Sequence, residues 1–201
     1  MPEERKLPRM DDLRNYRDDR AFKSKKKKTS NETWKAFERR VSKDFNTTRT
    51  PLSGMVKTIT NSDTLHKKIY VECKLRSSDK EFTFWEDFER WWDNAPEGKV
   101  SMLEIHPNNR EKVWLFEASD FLKLMYSEPF DLNLISCVIK SKVYRSVVSL
   151  YDETIERSAI EDKIPVIAIK KKGKKSYLIG TSPDELVKLQ KQFKIDKHGR
   201  E

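Results

Sequence analysis

The sequence predicts an α/β or α+β domain, on three observations. One helix carries a single apolar face made by Trp34, Phe37, Val41 and Phe45. One strand, Ile69–Arg76, sends alternate residues to opposite faces. From that strand onward, the order strand, helix, strand, strand, helix occurs twice.

Residues 1–28 are dense in charge of both signs and end in Lys25, Lys26, Lys27 and Lys28, which reads as a solvated, mobile N-terminal arm. Any function of such an arm is sequence-independent attraction to phosphates. The first helix follows, with Thr29 and Glu32 spaced as a capping box. Glu38 falls on or beside its apolar face, where a carboxylate needs a lysine, an arginine or a metal as partner. Ordinary solvation at the border of that face is the alternative.

Residues 46–62, rich in Thr, Ser and Asn, read as a polar loop or short hairpin. After strand 69–76, an aromatic-rich helix is expected over 82–92. Strands follow over 100–105 and 113–116, joined by a turn at 107–110, and then a helix over 119–125. The second round places a strand at 132–140, a helix at 150–159 and strands at 164–169 and 177–179, with Gly173 at their turn. Ser182, Pro183, Asp184 and Glu185 open a final helix. At a constant offset of 64, Cys73 meets Cys137, Glu89 meets Glu153 and Ile105 meets Ile169. Ser136 and Val138 stand where Glu72 and Lys74 stand in the first copy, so any site belongs to the first half.

Composition narrows the partners. The chain has 42 Lys+Arg against 33 Asp+Glu, a net charge of +9, which favours a polyanion and nucleic acid above all. A merely soluble, highly charged protein is the bland alternative, because acids are plentiful too. Five Trp, six Tyr and ten Phe exclude a wholly disordered chain. Cys73 and Cys137 lie in apolar strand-like runs and form no zinc set, which reads as buried thiols in a reducing, intracellular and cytoplasmic compartment; a viral or mobile-element origin stays open. Neither a membrane-length apolar stretch nor a signal peptide is read, so no membrane partner is expected.

The chemistry centres on Glu72 and Lys74, which share one face of a strand roughly 7 Å apart along it. Hydrolysis of a phosphodiester needs charge neutralised on the phosphate and a water held in line with the leaving oxygen. Magnesium held by one or two carboxylates does this. Asp63 and Glu72 would be those carboxylates, Lys74 would hold the water and stabilise the phosphate, and Glu38 would add a further contact. Arg49, Ser53 and Arg76 would meet phosphates. The bland readings stand beside these: Glu72–Lys74 as a solvent-facing pair, Asp63 as a turn residue, and Trp85, Trp91 and Trp92 as core rather than base-stacking platforms. A lone His66 in a turn seldom assists a metal.

The runs Trp34-Lys-Ala-Phe-Glu38, Arg49-Thr-Pro-Leu-Ser-Gly54, Ser62-Asp63 and Val71-Glu-Cys-Lys74 together resemble the PD-(D/E)XK nuclease superfamily, and most of all its Holliday junction resolvase-like branch. Ser62 replaces the proline of the family name. The resemblance implies a restriction-endonuclease-like core, a central mixed sheet flanked by helices, and metal-dependent DNA endonuclease activity. It assigns Glu38, Asp63, Glu72 and Lys74 as catalytic, with Mg2+ (Mn2+ as substitute) on Asp63, Glu72 and the Cys73 carbonyl. DNA, expected to be branched, would lie on Arg39, Arg40, Arg49, Ser53, Arg76 and the lysines at 25–28. A homodimer is implied, because resolving a four-way junction takes two cuts. A restriction- or repair-type endonuclease on duplex or flap DNA, and a silent DNA-binding protein, are the rivals. The implied layout is an arm at 1–28, the catalytic half at 29–77, an inserted or duplicated unit at 78–142, closing helix and strands at 143–192, and a tail.

Overall fold

The computed structural model describes residues 30–51, 60–76, 84–105, 111–127, 134–140 and 144–198. The chain divides into two units, Met1–Thr33 and Trp34–Glu201, and the second carries the sheet. In chain order the elements are α1 (Ser30–Asp44), β1 (Ile69–Arg76), α2 (Trp85–Asp93), β2 (Val100–Ile105), β3 (Val113–Glu117), α3 (Ala118–Tyr126), β4 (Ile135–Lys140), α4 (Arg145–Ile160), β5 (Ile164–Lys171), β6 (Leu178–Thr181) and α5 (Pro183–His198). None of the described helices is long and apolar enough to cross a membrane.

The fold is α/β, with one six-stranded mixed sheet in the order β1-β5-β6-β3-β2-β4. β1 runs parallel to β5 and β2 parallel to β4, while the three inner pairings are antiparallel. The order therefore reads the same from either edge once the two rounds of elements are exchanged. Each half-sheet is mixed in origin: β1 of the first round joins the β5–β6 hairpin of the second, and β4 of the second joins β2–β3 of the first. Between residues 78 and 142, β2, β3 and β4 thus supply three of the six strands of the one sheet. The repeat is not perfect in register. Cys73 lies opposite Ala168, but Cys137 lies opposite Met102 rather than Glu104, a slip of two residues that keeps the inward face inward.

Strand alternation divides the core in two. Ile69, Val71, Cys73, Val166 and Ala168 pack under α1, α3 and α5, whereas Ile167, Ile169, Leu103 and Leu115 pack under α2 and α4. Along α1 and the turn that follows it, Phe37, Val41 and Phe45 are buried at helical spacing while Lys35, Arg39 and Lys43 are exposed. Glu117 caps α3 by accepting from the amides of Ser119 and Asp120. Ser182 accepts from the Glu185 amide at the start of α5, as its sequence predicts.

Two helix starts differ from expectation by three residues or more. Helix α4 starts five residues early, because Val147 and Val148, poor helix formers, are buried beside Tyr151 against the second core, and burial overrides propensity. Helix α2 starts at Trp85 rather than 82, with Phe84 buried ahead of it. Gly173 takes a φ of 90° at the turn expected there. The proposed capping box at Thr29 and the turn at 107–110 lie outside the described residues, as does the Cys137 side chain. Cys73 is buried, as expected.

Gly180 is needed where β6 crosses the centre of the sheet. A Cβ there would meet Leu115 Cδ2 at 2.6 Å and Ile167 Cγ1 at 2.7 Å. Gly180→Ala should therefore destabilise the fold by about 1–3 kcal/mol through overpacking. Urea unfolding monitored by tryptophan fluorescence measures this, and an unchanged midpoint would contradict the packing described.

Candidate functional site

The site forms along the outer edge of β1. Along that strand Tyr70, Glu72 and Lys74 face α4, while Val71 and Cys73 direct their backbone polar groups outward, away from β5. A short antiparallel bridge between Arg49 and Thr64 brings residues 48–50 against 63–65. Its rungs are Thr50 N to Asp63 O (3.0 Å) and Leu65 N to Thr48 O (2.9 Å). The far side of this hairpin then docks on β1. Asp63 N donates to Val71 O (2.9 Å), and Asp63 Oδ2 accepts from Cys73 N at 2.7 Å. Ser62 Oγ accepts from Val71 N at 2.9 Å and also lies 3.3 Å from Val71 O. Ser62 thus completes the edge through its hydroxyl.

A second anchor holds the hairpin from the other end. Glu161, after α4, accepts from Asn61 N (2.7 Å), from the Thr60 hydroxyl and from Lys163 Nζ (2.8 Å). Burial works against the Glu161 charge, but Lys163, Thr60 and Asn61 outweigh it and hold its pKa below the ordinary value.

Two buried carboxylates, Glu38 and Glu72, lie within electrostatic reach of a third, Asp63. Glu38 of α1 is 1% exposed and accepts from Trp34 Nε1 and Arg49 Nε. Glu72 faces two cations, Lys74 Nζ at 2.6 Å and Arg157 of α4 at 3.5 Å. Asp63 has no ion pair among the described residues. Its burial pushes its pKa up to about 7, offset by the Cys73 amide, raised further by Glu72 and Glu38 and lowered by Lys74. The other three residues expected to be catalytic therefore all act on this one carboxyl group. Burial also lifts the Cys73 thiol well above its ordinary value, with Asp63, Glu38 and Glu72 adding to it, so this cysteine stays a thiol.

The donors suit a hard divalent cation. Asp63 and Glu72 supply carboxylate oxygens, and the Cys73 carbonyl leaves β1 on the same edge as its amide, beside Asp63. Among the described residues, no three His, Cys, Asp or Glu side chains gather closely enough to cage a metal alone. Two carboxylates, a carbonyl and waters remain an ordinary magnesium set.

Other expected residues lie elsewhere. Arg49 is drawn to Glu38, with its side chain 18% exposed, and Arg76 is exposed at the end of β1. Arg39 and Arg40 lie on the exposed side of α1. Ser53 and the lysines at 25–28 fall outside the described residues. Trp85 is buried in the second core and donates to Glu89 at 2.9 Å, and Trp92 donates to Asp120 at 2.7 Å. His66 Nδ1 accepts from the Lys68 and Ile69 amides, so Nε2–H donates to Asp196 at 2.9 Å and pins the start of β1 to α5. Arg157 was not anticipated from sequence. It lies 85 residues from Glu72, and only the β1–β5 pairing brings α4 to it. No family model, curated protein or solved structure matches this chain.

Asp63 makes stability depend on pH. Its folded pKa lies above the ordinary value of 3.8, so the stability it contributes is full below about pH 4 and is lost as pH rises to about 7. Asp63→Asn keeps an oxygen for the Cys73 amide yet never ionises. In EDTA it should stabilise the protein by as much as about 4 kcal/mol at pH 8 and hardly at all at pH 4. Urea unfolding across that range tests this, and parallel pH profiles for the two proteins would disprove it.

Proposed function

We propose that this chain is a magnesium-dependent endodeoxyribonuclease of the PD-(D/E)XK kind, acting on branched DNA as a Holliday junction resolvase. The observation that carries the reading is Asp63. It is a buried carboxyl with a pKa of about 7, set beside Glu72 and Lys74 on the edge of a strand. The hairpin leading into β1, and the parallel β1–β5 pair bridged by α4, support it as well.

In this reading Asp63, Glu72 and the Cys73 carbonyl would hold the ion, with Mn2+ as a substitute. The bound ion would withdraw charge from the attacked phosphate and acidify a water. Lys74, which pairs with Glu72 at 2.6 Å, would steady that water and the phosphate oxygen. Arg157 would keep Glu72 oriented, and Arg49 would do the same for Glu38. Arg39 and Arg40, with Arg76 and the N-terminal lysines, would meet DNA phosphates. Each chain offers one such set, so two cuts in a junction would take a homodimer. Restriction- or repair-type cutting of duplex or flap DNA uses the same groups.

One observation favours a second reading. Both oxygens of Glu72 already face cations, which suits a DNA-binding protein that does not cut. Labelled four-way junction, duplex and flap DNA, incubated with Mg2+ and with EDTA, separate the readings. Junction cutting only with Mg2+ is expected. Binding without any cutting would remove the enzyme, and duplex cut as readily as junction would remove the resolvase. Glu72→Gln and Lys74→Met should each lower the cleavage rate at least 100-fold while binding persists. Rates close to wild type in either would move the site elsewhere.

A further inference from the structure

At the same end of the β1–β5 pair, on the opposite face from Lys74, several cations stand without an acidic partner among the described residues. Lys170 lies across from Leu75, three residue steps, roughly 10 Å, beyond the level of Glu72. Its ammonium sits 5.8 Å from the Phe37 ring centroid. The Arg40 guanidinium lies 5.2 Å from the centroid of Tyr177, whose ring meets Phe37 edge-on. Arg40 also donates to the Lys175 carbonyl at 2.6 Å, tying α1 to the β5–β6 turn. The nearby carboxylate of Asp44 is taken by the Tyr177 hydroxyl at 2.7 Å.

The turn sorts its own lysines. Lys171 and Lys174 pair with Glu86 and Glu89 of α2. Lys170, Lys172 and Lys175 have no acidic partner among the described residues, and the Lys172 amide is held by the Arg76 carbonyl at 2.7 Å. Burial and the neighbouring Arg40 both push the Lys170 ammonium below its ordinary value. Two like charges are thus held side by side on aromatic rings, each anchored and neither neutralised. Such an arrangement opposes folding unless an anion comes to it.

From this geometry we infer that Arg40, Lys170, Lys172 and Lys175 form a phosphate-binding patch that holds the backbone of a DNA segment alongside the proposed cleavage site. The inference rests on the DNA reading above and adds the β5–β6 turn to it. Cations fixed on ring faces at the spacing of chain elements suit a continuous polyanion better than a single small ion.

The test is binding of the full-length protein to labelled duplex DNA in EDTA, followed by fluorescence anisotropy over a series of NaCl concentrations. Lys170→Gln/Lys172→Gln/Lys175→Gln should reduce the slope of log affinity against log salt by about 3, and Lys172→Gln/Lys175→Gln, both exposed, by about 2. Affinity at low salt should fall at least about 10-fold in the triple variant. Thermal unfolding checks that each variant is folded, and the double variant leaves the ring-stacked cations in place should the triple one fail. A folded double variant with unchanged affinity and slope would overturn the patch, as would a wild-type protein that does not bind DNA. Tighter binding to an RNA duplex of equal length would overturn its assignment to DNA. Because EDTA removes cleavage from the readout, a patch-dependent slope without nuclease activity would keep this inference and sink the nuclease. Cleavage with an unchanged slope would do the reverse.

Discussion

The hydrogen bond from the Cys73 amide to Asp63 is the constraint on which the rest depends. β1 is an edge strand, and the outward amides of Val71 and Cys73 and the outward carbonyl of Val71 need partners. Ser62 and Asp63 supply them with a hydroxyl, an amide and a carboxylate rather than a regular ladder. The contact that closes the sheet edge is therefore the contact that fixes the acid. Closing it also buries Asp63 beside two further carboxylates, and burial lifts its pKa to about 7. Position and perturbation have one cause. The Glu161 clamp on Thr60 and Asn61 keeps the hairpin from relaxing away.

The mirrored sheet explains why only one edge carries this chemistry. β1 and β4 occupy equivalent outer positions, each parallel to a strand from the other round of elements. The β4 edge lacks both parts of the site. Ser136 and Val138 replace the acid and the lysine, and residues 127–134 leave little chain between α3 and β4. Residues 48–50 and 60–65, between α1 and β1, build the paired segment that carries Asp63. The exchange of strands between halves has a second effect. It brings α4 over β1, and with it Arg157 onto Glu72. Burial works against the Arg157 charge, but Glu72, Tyr70 and Glu153 outweigh it and hold the guanidinium more firmly protonated.

Local pattern made much of this legible before any coordinates. A period of two put Glu72 and Lys74 on one face, helical spacing put Glu38 at the edge of a buried stripe, and the offset of 64 marked two rounds of elements. These signals concern which face a side chain takes, not which neighbour it meets. Hence the repeat was visible, but the exchange of partners between its halves was not. The Arg49–Glu38 pair spans a loop, the Arg157–Glu72 pair spans half the sheet, and Lys170 gains its meaning only from Arg40 beside it. Ser62 looked like a departure from a motif. In the fold its hydroxyl does what a proline could not, bonding both polar groups of Val71.

The charges of the cluster bear on what could enter it. Glu38 is matched by Arg49 and Glu72 by Lys74 and Arg157, so these acids and bases satisfy one another. A divalent cation alone would have to pull Glu72 from its partners, and a phosphodiester alone would have to pull Lys74 from Glu72. On the proposed reading, Asp63 and Glu72 would hold the cation and Lys74 would hold the phosphate, so that no charge would be left unmatched. Asp63, which among the described residues has no cation of its own, would gain most from that arrangement, because a nearby positive charge removes the cost of ionising it. On the nuclease reading proposed above, a site so balanced would take a cation and a phosphate more readily as a pair than either ion singly.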